Sequence, residues 1–208
     1  MPFTYHVVSG AAADRLETLI AERLAPDADK AAIDRRIWRL FGEKWAVLYT
    51  DLSGFSRNVA EFGIVHFLQT IYESHRLMVP LIEKDNGILL KTEGDSLIVI
   101  FRHVNDAIRC ALAMQKCAAE YNTTRIDAEK VLLCIGIDFG EMLRIGDTDI
   151  FGAEVNAACK LGEDVAKSHE ILMTGAASRE ARLPPNTSLV QLEAAPPGAD
   201  SAFKLIYQ

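Results

Sequence analysis

The chain has 208 residues, half of them apolar and a quarter charged, with a net charge of −7 at neutral pH. That length can bury one good core, or one domain with an appendage. The negative balance argues against a broad nucleic-acid or anionic-membrane surface, which needs clustered lysine and arginine, and no apolar run approaches the roughly 20 residues of a spanning helix.

The amino-terminal stretch Met1-Pro-Phe-Thr-Tyr-His has neither the basic start nor the apolar segment of a signal peptide. Residues 1–43 read as an N-terminal helical segment and 44–208 as the main domain. Leu16, Leu19, Ile20 and Leu24 recur at helical spacing, and Pro26-Asp27 breaks the pattern. A second helix is expected from near Asp29 to Phe41, with Ile33, Ile37 and Leu40 on its apolar face and Gly42 past its end. Trp38, Phe41 and Trp45 are expected to pack this hairpin against the domain.

From Lys44 the pattern alternates. A strand over 45–50 is followed by a long helix over 56–84, a hairpin over 87–101 opened by Asn86-Gly87, and a helix over 104–121. Next come a strand over 131–137, a turn at Gly140, a short strand over 142–145, and a helix over 153–166. A strand over 170–174, a short helix over 175–181 and closing strands over 187–192 and 202–207 finish the chain. The order β-α-β-β-α-β is the ferredoxin-like unit, so the fold class is α+β, with a carboxyl-terminal extension and a short N-terminal helical hairpin. Four cysteines (Cys110, Cys117, Cys134, Cys159) form no Cys-x-x-Cys pair, which indicates neither zinc nor a disulfide framework and points to a reducing cytoplasm.

Three stretches carry chemistry. Asp51-Leu-Ser-Gly-Phe-Ser follows the first strand, and Lys91-Thr-Glu-Gly-Asp95 places a second aspartate 44 positions later, in the hairpin turn. If the two strands are neighbours, their carboxylates meet and suit Mg²⁺, which binds through one or two carboxylates plus substrate phosphates. The ordinary structural reading stands beside this: an aspartate ending a strand, and a Gly-Asp turn. The third stretch is Asp149-Ile-Phe-Gly-Ala-Glu-Val-Asn156-Ala-Ala-Cys-Lys160, in which Asn156 and Lys160 are one helical turn apart. Backbone amides at Gly54 and Phe55, where a helix begins, suit the terminal phosphates of a nucleotide.

These three motifs, in this order, resemble the catalytic domain of class III nucleotidyl cyclases over about residues 44–208. The resemblance implies that Asp51 and Asp95 bind two metal ions, Mg²⁺ or Mn²⁺, and that Lys91 and Asp149 read the purine base. It implies that Asn156 orients the ribose, and that Lys160 stands where the family usually has an arginine on the α-phosphate. It also implies a head-to-tail homodimer in which each site takes its aspartates from one subunit and the other four groups from its partner. Adenine offers an N6 donor and an N1 acceptor, which a carboxylate and an ammonium complement. The expected activity is therefore conversion of ATP to 3′,5′-cyclic AMP and pyrophosphate. The alternatives are a weak or inactive cyclase-homology module that binds nucleotide or a partner, and a cyclase of another nucleotide. The Gly-Gly-(Asp/Glu)-Glu-Phe signature of diguanylate cyclases is absent.

Outside these motifs, Arg144 and Asp147 read as a solvated hairpin pair, and His66, His75 and His103 as ordinary histidines. Ser53 and Ser56 read as helix caps, and Arg57 as a lesser candidate for the triphosphate. Lys204 is the candidate for a β- and γ-phosphate contact that Val190-Gln-Leu-Glu-Ala-Ala does not provide.

Overall fold

The computed structural model describes residues 10–207, without the side chains of residues 55–58. The reading of the first nine residues lies outside the described residues, as do the side chains of Ser56 and Arg57.

Helices α1 (Ala11–Leu24) and α2 (Lys30–Phe41) form the expected hairpin. Asp29 caps α2 by accepting from the Ala32 amide at 3.0 Å. Arg23 to Asp34 and Arg36 to Glu22, each at 2.6 Å, tie the two helices together. Their apolar contact is narrower than the sequence pattern. Leu19, Ile33, Ile37 and Phe41 are buried around Ile145, whereas Ile20, Leu24, Leu40 and Trp38 are exposed. The hairpin meets one strand end, so only the residues facing that strand lose water.

Strand β1 (Gly42–Leu52) runs directly out of α2. It alternates faces: Ala46 and Leu48 enter the larger core, and Trp45, Val47 and Tyr49 the smaller one. Both faces are covered, which is why this segment reads as a continuous apolar run. Trp45 therefore serves the second core, stacked beneath Arg102 at 3.6 Å, and not the hairpin contact expected for it.

The expected helix over 56–84 is two helices, α3 (Phe55–Phe62) and α4 (Ile64–Lys84). Gly63, at φ +84°, breaks them, a backbone state that glycine adopts at little cost. Strands β2 (Ile88–Glu93) and β3 (Ser96–Phe101) form the hairpin, and α5 (Val104–Asn122) follows. The turn expected at Gly140 does not exist: β4 (Leu133–Ile145) is one strand, paired without a break with the whole of β1 from Leu52–Leu133 to Gly42–Leu143. Gly140 admits the Glu154 side chain, whose carboxylate would lie 2.6 Å from a Cβ there. Strand β5 (Asp149–Phe151) folds back on β4 and leads into α6 (Ala153–Lys160). The helix expected to continue to 166 widens at Leu161–Val165 into a π turn, closed by the Ala166 amide on the Leu161 carbonyl at 2.8 Å. Strand β6 (Ile171–Thr174), α7 (Gly175–Glu180), β7 (Ser188–Gln191) and β8 (Ala202–Ile206) complete the chain.

The sheet order is β2-β3-β1-β4-β6-β8-β7, with β5 on β4. Strand β1 is antiparallel to β3 and β4, and β4 is parallel to β6. The first four positions are the ferredoxin-like arrangement with α4 and α5 over one face, so the α+β fold is as expected. On the other face α6 packs on Tyr49, Met142 and Ile150. No helix among the described residues is long and apolar enough to cross a membrane.

Candidate active site

Pairing of β1 with β3 sets Thr50 opposite Leu97, so Asp51 at the end of one strand adjoins Asp95 in the turn before the other. Both aspartates are partly buried. Burial, then the Asp95 charge, then Glu163 push the Asp51 carboxyl up to about 7. Burial also raises that of Asp95. The Leu52 amide pulls both carboxyls the other way, and the Ser96 hydroxyl donates to Asp51 at 3.4 Å. Two carboxylates confined together favour a cation between them. Among the described residues no group of three or more His, Cys, Asp or Glu is arranged to hold a metal ion. The donor set is thus two hard carboxylates that substrate phosphates would complete, which fits Mg²⁺ or Mn²⁺.

The segment between Asp51 and α3 is a tight turn. The Ser53 amide donates to the Leu132 carbonyl at 2.8 Å, and Gly54, in the left-handed region, is the N-cap of α3. Among the described residues no side chain caps this helix, so Ser53 does not act as the expected cap.

Lys91 and Asp149, 58 positions apart, meet: Nζ lies 3.0 Å from Oδ1. A bulge in β2 between Leu89 and Lys91 makes this contact. It turns the successive residues Leu90 and Lys91 to the same face, Leu90 into the core beside Ile98 and Lys91 onto β5. Glu93, two residues on and so on the same side, holds the ammonium at 2.6 Å. Glu93 first, and then Asp149, raise the Lys91 pKa against partial burial. The Asp149 Oδ1 atom also accepts from the Ile150 amide at 2.8 Å.

Helix α6 carries Asn156, which is exposed, and Lys160, which binds Asp164 at 2.7 Å. Its position is fixed by close backbone contact with β4. A Cβ on Gly136 would lie 2.1 Å from the Ala158 carbonyl and 2.6 Å from the Gly162 amide. Cys159, between the two polar residues, is pushed up chiefly by burial and then by the charges of Glu93 and Glu163, which Lys91 opposes, so the hairpin, α6 and the π turn lie close enough to act on one another.

The sequence motifs did not signal three neighbours of the site. Glu163 faces Asp51 from the π turn. Tyr49, pushed up to about 12 chiefly by burial, lies beside Ser96. His75, on α4, is held below its ordinary pKa by burial although the Asp95 carboxylate opposes this, and its Nε2 has no hydrogen-bond partner. No spacing rule links these positions to the motifs. Among the described residues Lys204 makes its side-chain contact with Glu170, at 2.6 Å, and not with these groups. Arg144 pairs with Asp147 at 2.7 Å, but only Asp147 is solvated as expected: the Arg144 side chain is largely covered and lies over Trp45 at 5.1 Å.

Comparison with known proteins bears on the family and the fold. The sequence model of the family described as "Adenylate and Guanylate cyclase catalytic domain" matches residues 42–192. Among characterised proteins, the chain is 27% identical over 116 residues to the putative adenylate cyclase 3 of Rhizobium meliloti, covering 56% of this chain and 20% of that protein. It is 25% identical over 130 residues to the serine/threonine-protein kinase pkn2 of Myxococcus xanthus, covering 62% of this chain and 15% of that one. The chain therefore spans a fifth or less of the length of either relative. The crystal structure of an adenylate/guanylate cyclase/hydrolase from Silicibacter pomeroyi superposes with a TM-score of 0.66 at 23% identity, over 79% of this chain and 95% of that one. The chain belongs to the class III adenylate and guanylate cyclase catalytic-domain family.

Proposed function

We propose that the chain is an adenylyl cyclase that converts ATP to 3′,5′-cyclic AMP and pyrophosphate at sites shared across a homodimer. The observation that carries the choice of ATP is the Lys91–Asp149 pair. Its carboxylate accepts from the adenine N6 amino group and its ammonium donates to N1, whereas guanine presents a carbonyl and an N–H there.

The remaining residues support the same reading. Asp51 and Asp95 would hold Mg²⁺ or Mn²⁺, which when bound activates the 3′-hydroxyl and neutralises the phosphoryl oxygens. Phosphoryl transfer depends mainly on positioning and charge. The amides of Gly54 and Phe55 would orient the terminal phosphates, Asn156 the ribose, and Lys160 the α-phosphate as a point charge. Exposure of Asn156 suits a group that completes its surroundings only against a second subunit.

The test is to supply the purified chain with each of the four nucleoside triphosphates and Mg²⁺ or Mn²⁺, scoring cyclic nucleotide and pyrophosphate. Cyclic AMP that disappears on chelation is expected; cyclic GMP as the main product would overturn the base assignment. Asp51→Ala and Lys91→Ala chains, each inactive alone, should recover activity when mixed, because one composite site in the heterodimer is then whole. Heterodimers without activity would overturn the shared site.

A further inference from the structure

We infer that Glu93 is a positioning residue for purine recognition, holding Lys91 so that Asp149 keeps one carboxylate oxygen for the base. The inference rests on the reading of Lys91 and Asp149 as the base-reading pair.

Two observations carry it. First, both recorded contacts of the Asp149 carboxylate fall on Oδ1, from Lys91 at 3.0 Å and from the Ile150 amide at 2.8 Å. Oδ2 is left to meet a donor. Second, Glu93 is the nearer partner of the ammonium, at 2.6 Å. Lysine is a point charge on a flexible four-carbon stem, and one carboxylate alone would draw it between both oxygens. A second carboxylate on the strand's own edge holds it to one side, and with two of its three N–H bonds spent the direction of the third is set.

The charge balance has a consequence for selectivity. Two carboxylates around one ammonium leave the base edge net negative, which favours the amino group of adenine and disfavours the carbonyl oxygen of guanine. Neutralising Glu93 changes that balance, and frees Lys91, while the residues that face the base keep their identity.

The experiment compares ATP with purine riboside triphosphate, which lacks only the 6-amino group, on the full chain and on Glu93→Gln and Glu93→Asp. The ratio of the two nucleotides is read in kcat/KM and in calorimetric Kd, so that slow turnover does not hide it. The unmodified chain should prefer ATP by about tenfold or more, the scale of a hydrogen bond to a charged acceptor. Glu93→Gln should cut that preference to within about threefold through KM, with kcat held within about twofold, and Glu93→Asp should restore part of it. If the unmodified chain fails to discriminate, the base-reading pair itself falls. If it discriminates and Glu93→Gln keeps the full ratio, Glu93 is not a positioning residue although the pair stands. An equal loss for both nucleotides with a lowered Tm would likewise overturn the inference, leaving Glu93 a support of the hairpin only.

Discussion

Lys160 Nζ lies 2.7 Å from Asp164 Oδ2, so the cation proposed for the α-phosphate is held by a carboxylate of its own chain one helical turn ahead. Asp164 is also the main reason that the Lys160 pKa is raised. Both side chains are about half exposed, and such pairs exchange readily with other partners. A triphosphate therefore has to displace Asp164, and lysine lacks the planar fork with which an arginine could serve both.

Asp164→Asn should lower the KM for ATP by about two- to threefold, because phosphate no longer competes for the ammonium. Lys160→Ala should lower kcat/KM by at least about tenfold, the scale of a lost charge-assisted contact, and Lys160→Arg should raise kcat. Steady-state kinetics on the three variants decides this. An unchanged kcat/KM in Lys160→Ala would remove Lys160 from the site.

The contact of α6 with β4 sets a second expectation. The Ala158 carbonyl lies 2.1 Å from where a Cβ of Gly136 would stand, and backbone cannot yield as a side chain can. Gly136→Ala should destabilise the fold by about 1–3 kcal/mol, as overpacking does. It should also lower activity in the fraction that remains folded, because Asn156 and Lys160 ride on the displaced helix. Denaturant unfolding, with activity normalised to folded protein, separates the two effects. Full stability in this variant would contradict the close packing.

Asp138 gives a pH expectation away from the site. It is buried on β4, accepting from the Phe139 amide at 2.7 Å and from the Thr174 hydroxyl. Burial pushes its carboxyl up to about 6 from 3.8; Thr174 and the Phe139 amide oppose this, while the charges of Glu154 and Asp200 add to it. A raised carboxyl pKa means that the folded state holds the proton where the unfolded chain has lost it. This contribution to stability is fully present below about pH 4 and is lost as pH rises through about 6. Asp138→Asn keeps an acceptor oxygen and removes the charge. It should raise stability at pH 8 by on the order of 2 kcal/mol, with little change near pH 4. Thermal melts of both chains across that range test it, and equal shifts at the two ends would refute it.

The fold was legible wherever burial repeats at a simple period or fills a short, unbroken apolar run. The helices of the hairpin, β1, β2, β3 and α5 follow from such patterns, and their order already implied the ferredoxin-like sheet. Two of the misreadings share a cause. Gly63 lies within an apolar periodic run and Gly140 within an alternating one, and a glycine can break an element or admit a neighbour. Gly63 does the former, at positive φ, and Gly140 the latter, beside Glu154. Only the surroundings of each glycine distinguish the two.

Residue type and order also determined the candidate groups: two aspartates, a lysine and an aspartate, an asparagine and a lysine, each in a motif whose spacing along the chain is local. The tertiary structure decided what those groups touch. It brought Glu163 and His75 to the two aspartates, spent Lys204 on Glu170, and divided Lys91 between Glu93 and Asp149. The physical reason is that periodicity records which face of an element loses water. Electrostatic partners across 50 or more positions depend on strand register, on one bulge in β2, and on how closely Gly136 lets a helix approach the sheet.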